Sequence, residues 1–345
     1  MKSLRVMMLV HSDLVPPEDL HNAEDPRMKK YITEYDVKQA LLRLGHEVRV
    51  VGVYDDISAI RKTIEEWDPH IAFNLIEDFA GYSAFDYYVV SYLDMVNIPY
   101  TGCHPRGLIL ARDKALSKKV LSYHRIKVPQ FHVFPFGKKI RKTKLDALPY
   151  PMVVKTLIEQ GSYAISRASY VVNAEELLER VNQLHKRTQG DVIVEQYIEG
   201  RELYVSVIGN QRLEVLPIRE LTFGRDDHEA SPKLATYKVK WDTEYRERWQ
   251  IDYEYATNLN EELEARIKKQ CKRIYRLLDL SGYARMDLRI SEEGKIFFLE
   301  ANPNPAIAHN EDVAFSAYEA GYTYEKLIQK LLSLGLSAHK ARFDY

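Results

Sequence analysis

Residues 284–305, ARMDLRISEEGKIFFLEANPNP, constrain the fold more than any other stretch of the chain. Two apolar-rich runs, MDLRI and KIFFLEA, flank the turn-like SEEG, and their β-branched and aromatic content predicts two strands folded back on each other. A loop of Glu293 and Gly294 alone, or a four-residue loop, sets Asp287 opposite Glu300 and Arg285 opposite Asn302. A three- or five-residue loop slips the register by one and spoils that pairing. In the favoured register the second face carries Met286, Leu288 and Ile290 against Ala301, Leu299 and Phe297, an ordinary core. Opposed side chains in such a pair lie about 4.5–5.5 Å apart, and like charges there destabilise the sheet. A cation beside them is the natural way to keep both carboxylates ionised.

Asp287, Glu300 and Asn302 offer oxygen ligands only, with no thiolate or clustered imidazole alongside. Hard ions such as Mg²⁺ or Mn²⁺ prefer that set, and zinc does not. The bland alternative is a solvated acid pair without function; Phe297, Phe298 and Leu299 argue against it, because they place the strand in a core.

The 345 residues have room for two or three domains, and 46% hydrophobic with 29% charged residues is the balance of a soluble globular protein. A net charge of −1 leaves no electrostatic footprint for nucleic acid, and no dense basic block suggests a membrane surface. Cys103 and Cys271 are isolated, which fits a reducing compartment. The apolar run in MKSLRVMMLVHSD is too short for a signal peptide, and no stretch reaches transmembrane length. A cytoplasmic location is the expectation.

Strand-like and helical patterns alternate over the first third: Leu4–Val10, Tyr31–Leu44, Glu47–Val53, Ile57–Trp67, Ile71–Leu75, Phe85–Val96 and a short strand at Ile98–Tyr100. That alternation predicts a parallel α/β domain over residues 1–105. A helix at Asp113–Tyr123, short strands at Phe131–Phe136, Met152–Lys155 and Ala168–Val172, and a helix at Ala174–Lys186 predict a small α+β unit over 106–190. Strands at Val192–Tyr197, Leu203–Gly209 and Leu213–Ile218, a long polar stretch from Glu220 to Ala256, a helix at Glu261–Leu278, the opening hairpin and a helix at Tyr322–Leu334 make a second α+β unit over 191–345.

Lys155 ends an apolar strand and precedes Glu159-Gln160-Gly161-Ser162-Tyr163-Ala164, a loop of small residues that can bring backbone N–H groups and a hydroxyl to phosphate oxygens. Alone this is weak, since a lysine at a strand end is usually solvated. Lys114, in ARDKALSKK, is weaker still. The run VIVEQYIEGRE, 192–202, is a strand running into a turn; backbone beyond such a strand can read an adenine edge and Glu202 can accept ribose hydroxyls, although a core strand with a plain hairpin explains it equally well.

Taken together, YTGCHPRGLILARDKALSKK, VVKTLIEQGS, VIVEQYIEGRELYVSV, YKVKW, GYARMDLRI and FFLEANPNP resemble, in order, the ATP-grasp enzymes of the D-alanine–D-alanine ligase family, from Tyr100 to about Leu334. The resemblance implies an ATP-grasp architecture, an N-terminal α/β domain followed by two α+β subdomains that clasp the nucleotide. It implies an ATP-dependent ligation of a small carboxylate to a small amine through an acyl phosphate, with two Mg²⁺ or Mn²⁺ ions. Lys114 and Lys155 match the lysines that hold nucleotide phosphates, and Ser162 matches a hydroxyl of the phosphate-covering loop. Glu195, Gln196, Tyr197 and Ile198 match the hinge that reads adenine, largely by backbone, with Glu202 on the ribose. Lys240 matches a flexible-loop lysine at the terminal phosphates. Asp287, Glu300 and Asn302 match the metal ligands, and Arg285 the arginine that stabilises charge on the acyl phosphate and tetrahedral intermediate. Family members are often dimers through the N-terminal domain, so a homodimer is also implied.

The departures from the family fall on the amino-acid side. The family's glycine-rich loop after the first strand is replaced here by HSDLVPPEDLHNAEDPRM, and a His-Gly…Gly-Glu-Asp-Gly loop by NLIEDFAGYSAF, which keeps only Glu77-Asp78. Gly161 stands for a serine and Trp241 for a tyrosine. After the metal ligands the chain reads Pro305-Ala306-Ile307-Ala308, with Glu311 where the family has a serine near the second D-alanine's carboxylate. An acid there repels an incoming carboxylate and suits a cationic amine. Glu77, Trp241, Ala306, His309 and Glu311 are therefore the candidate substrate residues, and the expected substrates are an amino acid or small peptide other than D-alanine. Two alternatives stay open: a divergent D-alanine–D-alanine ligase, and a non-catalytic nucleotide-binding protein.

Overall fold

Strands β1 (Arg5–His11), β2 (Glu47–Val53) and β3 (Ile71–Asn74) form a parallel sheet in the order β2-β1-β3. Central β1 is covered on both faces, so Val6 to Val10 read as an unbroken apolar run and are fully buried. The structure is a computed structural model, and its described residues are all but 1, 21–24, 141, 159–164, 225–231 and 344–345. The strand expected at 98–100 shrinks to a single bridge between Ala72 and Tyr100, because Pro99 has no N–H to give to a ladder.

A second sheet holds β4 (Phe131–Phe134), β5 (Met152–Thr156), β6 (Tyr170–Val171) and β7 (Val192–Gln196), all antiparallel, in the order β4-β7-β5-β6. Helix Ala174–Thr188 starts at Asn173, whose side chain accepts from the Glu176 N–H at 2.9 Å. Its Leu177, Val181 and Leu184 recur at helical spacing and pack on Met152, Val154, Val192 and Val194. Burying each such side chain is worth about 1.5–3 kcal/mol. Since β7 lies between β4 and β5, a seam at 190 cuts through one sheet; the chain leaves that sheet only after Gln196.

The third sheet contains β8 (Arg201–Gly209), β9 (Leu213–Val215), β10 (Arg219–Phe223), β11 (Ile251–Tyr255), β12 (Tyr283–Ile290) and β13 (Ile296–Pro303). Its order is β11-β10-β8-β12-β13, with β9 beside β8. The polar stretch 220–256 thus supplies two strands, and between them the short helices Tyr237–Trp241 and Thr243–Trp249. Helix Lys114–Tyr123, expected with the middle unit, packs instead on this sheet together with the preceding helix Pro105–Arg112: Leu108, Ala111 and Leu121 share a core with Leu203, Met286 and Phe298. The last helix, Tyr324–Phe343, returns to the first sheet, where Leu327, Ile328 and Leu331 meet Val6, Met8 and Val10. No helix among the described residues is long and apolar enough to cross a membrane.

The β12–β13 hairpin departs from the expected geometry in an instructive way. Ile290 pairs with Ile296, so five residues form the turn, and Gly294 occupies it with φ +70°. That turn slips the register by one, as expected of its length: Leu288 faces Phe298 and Ile290 faces Ile296, correcting the expected partners Leu299 and Phe297. A β-bulge then takes up the slip. Leu299 is the extra residue, and beyond it Asp287 faces Glu300, Met286 faces Ala301 and Arg285 faces Asn302.

Candidate functional site

Arg285, Asp287 and Arg289 alternate along β12, so all three point to the face opposite the core. Arg285 grips Asp287 with two bonds, Nε to Oδ1 at 2.8 Å and Nη2 to Oδ2 at 3.1 Å. Its Nη1 reaches Asp312 Oδ2 at 3.3 Å, and its guanidinium lies 4.9 Å from the centre of the Tyr204 ring. Asn302 Nδ2 donates to Asp287 Oδ2 at 3.2 Å. Burial pushes the Asp287 carboxyl up to about 6 against the pull of Arg285. Burial would raise Glu300 as well, but Lys114, Lys240, Lys155 and Lys118 together hold it at about 2. The two opposed acids therefore sit in unlike fields, one beside an arginine and one amid lysines.

The lysines converge from three elements. Lys114 is the first residue of its helix, which Asp113 caps, and its Nζ lies 3.9 Å from Glu300 Oε2; burial lowers it to about 8. One turn on, Lys118 is fully buried, 2.8 Å from Glu195 Oε1, and donates to the Leu299 carbonyl that the bulge presents. Lys155, at the end of β5, meets the other oxygen of Glu195 at 3.1 Å. Despite burial, Glu195 is kept ionised by these two lysines.

A cleft of ≈ 550 Å³, its open mouth included, runs along this constellation. Its apolar lining includes Val153, Ile165, Ile198, Leu234, Ala235 and Leu299. Its charged lining includes Lys155, Lys240, Asp287 and Glu300. Glu195, Gln196 and Tyr197, at the end of β7, line it as well. Segments from either side meet over the cleft: the Tyr237 N–H donates to the Ile165 carbonyl at 2.9 Å, and the Arg167 guanidinium lies 5.6 Å from the centre of the Trp249 ring. A cleft lined by apolar side chains together with lysines can hold a purine and its phosphates.

Glu202 lines the cleft but is already held, by Tyr204 Oη at 2.8 Å on one oxygen and Arg289 Nη2 at 2.7 Å on the other. Arg289 also donates to the carbonyls of Ile198 and Gly200, each at 3.2 Å, and so ties the segment between β7 and β8 to β12. Sequence reasoning missed both Arg289 and Lys118. The spacing of Arg285, Asp287 and Arg289 by twos could have found the first; the second depends on a distant carboxylate and a bulge.

The oxygen donors fit a hard divalent ion. A carboxylate has about four lone-pair sites, and the bonds to Asp287 leave some of them open, while Glu300 is ionised. Among the described residues no group of three or more His, Cys, Asp or Glu is preassembled, so the candidate set is two acids and an amide.

The remaining candidates are scattered. Ser162 lies outside the described residues, and Trp241 is placed only as the last residue of helix Tyr237–Trp241. Glu77 follows β3, and its carbonyl accepts from Arg112 at 3.5 Å. Ala306 is half-buried. His309 does not enter the cleft: its ring stacks on Tyr324 at 3.8 Å, its Nδ1 meets Tyr318 Oη at 2.8 Å, and its N–H donates to Asp36. Glu311 is half-buried next to Asp312, the partner of Arg285, with Glu77 and Arg285 in electrostatic reach.

The family described as D-ala D-ala ligase C-terminus matches residues 121–333. An uncharacterised protein of Sinorhizobium fredii, y4sG, is 30% identical over 315 residues, 89% of this chain and 87% of its own length. The D-alanine–D-alanine ligase of Desulfotalea psychrophila is 29% identical, covering 87% of this chain and 88% of that protein. The crystal structure of the Bacillus anthracis D-alanine–D-alanine ligase complexed with ATP shares the fold, with TM-score 0.75 at 22% identity over 99% of this chain and 100% of that one. The chain belongs to the ATP-grasp, D-alanine–D-alanine ligase-like family.

Proposed function

We propose that this ATP-grasp ligase joins a small carboxylate to a small amine at the expense of ATP, and that its pair of substrates is not two D-alanines. The observation that carries the ligase reading is the cleft itself, whose lining combines apolar side chains with Lys155, Lys240, Asp287 and Glu300, and where Arg285 bonds to Asp287. Lys114, Lys155 and Lys240 bind and orient the phosphates. A substrate carboxylate oxygen attacks the γ-phosphorus, the bond to the ADP oxygen breaks, and ADP leaves. The amine lone pair then attacks the acyl carbon, the bond to the phosphate oxygen breaks, and the amine's proton passes to solvent. Arg285 is preorganised by Asp287 and Asp312 beside the developing oxyanion, where losing a comparable donor costs about 2.7–4 kcal/mol in the barrier. Asp287, Glu300 and Asn302 would hold Mg²⁺ or Mn²⁺, a pair of ions in this reading, which supply charge neutralisation on the phosphates. Segments 165–169 and 232–249 exclude water from the acyl phosphate.

Glu311 supports the change of substrate. It stands one residue from Asp312, and Glu77 adds a second negative charge within its reach. Glu34, buried on helix Met28–Arg43, lies within reach of Glu77, and burial raises its carboxyl to about 7. A neutral or cationic amine suits this side better than a carboxylate. A cytoplasmic homodimer belongs to the same reading. The second reading, ligation of two D-alanines, is favoured by the names of the relatives at 28–29% identity. Release of ADP from ATP, screened against carboxylates paired with amines and followed by mass analysis of the product, separates them. Turnover with D-alanine alone supports the second reading, and no ADP release with any pair overturns both.

A further inference from the structure

Lys118 is a fully buried cation that the ligation steps do not use. It nevertheless touches both walls of the cleft: Glu195 on the hinge strand at 2.8 Å, and the carbonyl of Leu299 on the metal strand. Glu195 in turn gives its second oxygen to Lys155 at 3.1 Å. One carboxylate thus serves two lysines, only one of which lines the cleft.

We infer that Lys118 is a positioning residue for nucleotide phosphate: by taking half of Glu195, it lets that carboxylate aim Lys155 into the cleft without cancelling its charge. With Lys118 absent, the whole negative charge of Glu195 falls on Lys155, and a buried ion pair has little field left for a third group. The Leu299 carbonyl completes the arrangement. A residue inserted as a bulge is left out of the ladder, so its carbonyl is available to a side chain, and here it takes the lysine that spans the gap between the two sheets. The inference rests on reading the cleft as a nucleotide site and is independent of the acid and the amine.

Equilibrium titration with ATP and Mg²⁺ tests it. Lys118→Met should weaken binding by roughly tenfold or more, the scale of a lost charge-assisted contact. Adding Glu195→Gln to that variant should restore binding to within about threefold, because Lys155 then faces a neutral amide. A merely structural pair would regain its melting temperature in the double variant without regaining affinity. Should Lys118→Met not fold, Lys118→Gln, which keeps a donor for the Leu299 carbonyl and no charge, is read in the same way. Unchanged affinity in the folded single variant, or a double variant that binds no better than the single, overturns the inference. Absence of ATP binding by the unaltered protein overturns the nucleotide reading instead.

Discussion

Asp287 faces Glu300 across the β12–β13 ladder because Leu299 is spliced into β13 as an unpaired residue. With the five-residue turn and no bulge, Glu300 would stand opposite Met286 and point into the core. The turn and the bulge are two irregularities that cancel at the site.

Deleting Leu299 should leave a regular hairpin in which Asp287 still faces Glu300. Lys118 would lose its carbonyl acceptor, at a cost of about 1–3 kcal/mol for an unsatisfied buried donor. Denaturant unfolding measures that loss, and a weaker affinity for ATP should accompany it. A deletion variant as stable as the parent would contradict the account of the bulge.

Arg285→Ala and Glu300→Gln should each lower product formation by roughly 10²–10³ or more while far-UV circular dichroism stays native. Arg285→Ala also leaves Asp287 without its two strongest bonds, so metal dependence should change with rate. Near-normal turnover in either variant would remove these residues from their assigned roles.

Glu311→Ser should move selectivity towards amines that carry a carboxylate. The ratio of kcat/KM for a carboxylate-bearing amine to that for a cationic amine is expected to rise by about tenfold, the effect of relieving one like-charge contact. Equal ratios before and after the substitution would show that Glu311 does not face the incoming amine.

Burial raises the Glu34 carboxyl from 4.5 to about 7. The folded chain therefore holds this proton more tightly than the unfolded one, and the stability gained is fully present below pH 4.5 and lost as pH rises through about 7. Glu34→Gln should flatten that decline and melt higher than the parent at pH 8. Identical pH profiles of melting temperature would count against the buried carboxyl.

His309→Ala should destabilise rather than inactivate. Its ring contact with Tyr324, at 3.8 Å, is of a kind worth about 0.5–1.5 kcal/mol beyond area burial. A fall in melting temperature with kcat unchanged is expected, and a selective loss of kcat would return the residue to the chemistry.

Local pattern alone located most of the elements, and several were legible to the residue. β2 spans Glu47–Val53 as its apolar alternation implies, and helix Glu261–Leu277 ends one residue short of expectation. Helices Pro105–Arg112 and Asp312–Glu319 were not legible, being only two turns long and too short for periodicity to declare itself. The candidate residues Lys155, Glu195, Lys240, Asp287 and Glu300, which the fold brings into one cleft, could be named from motifs because each motif fixes the chemical type of its polar residues. What the side chain of Glu195 does could not: the family resemblance implies contacts largely through backbone, whereas its carboxylate is buried between Lys118 and Lys155.

Sequence by itself determined most of the strands, the apolar face of β12 and which acids share a hairpin, since those follow from neighbours in the chain and a period of two or 3.6. Tertiary structure decided the rest: that β7 belongs with β4 and β5, that the last helix closes on the first sheet, and that a bulge corrects the register at Glu300. These depend on contacts between residues far apart in the chain, where total burial and the pairing of buried charges outweigh any local preference.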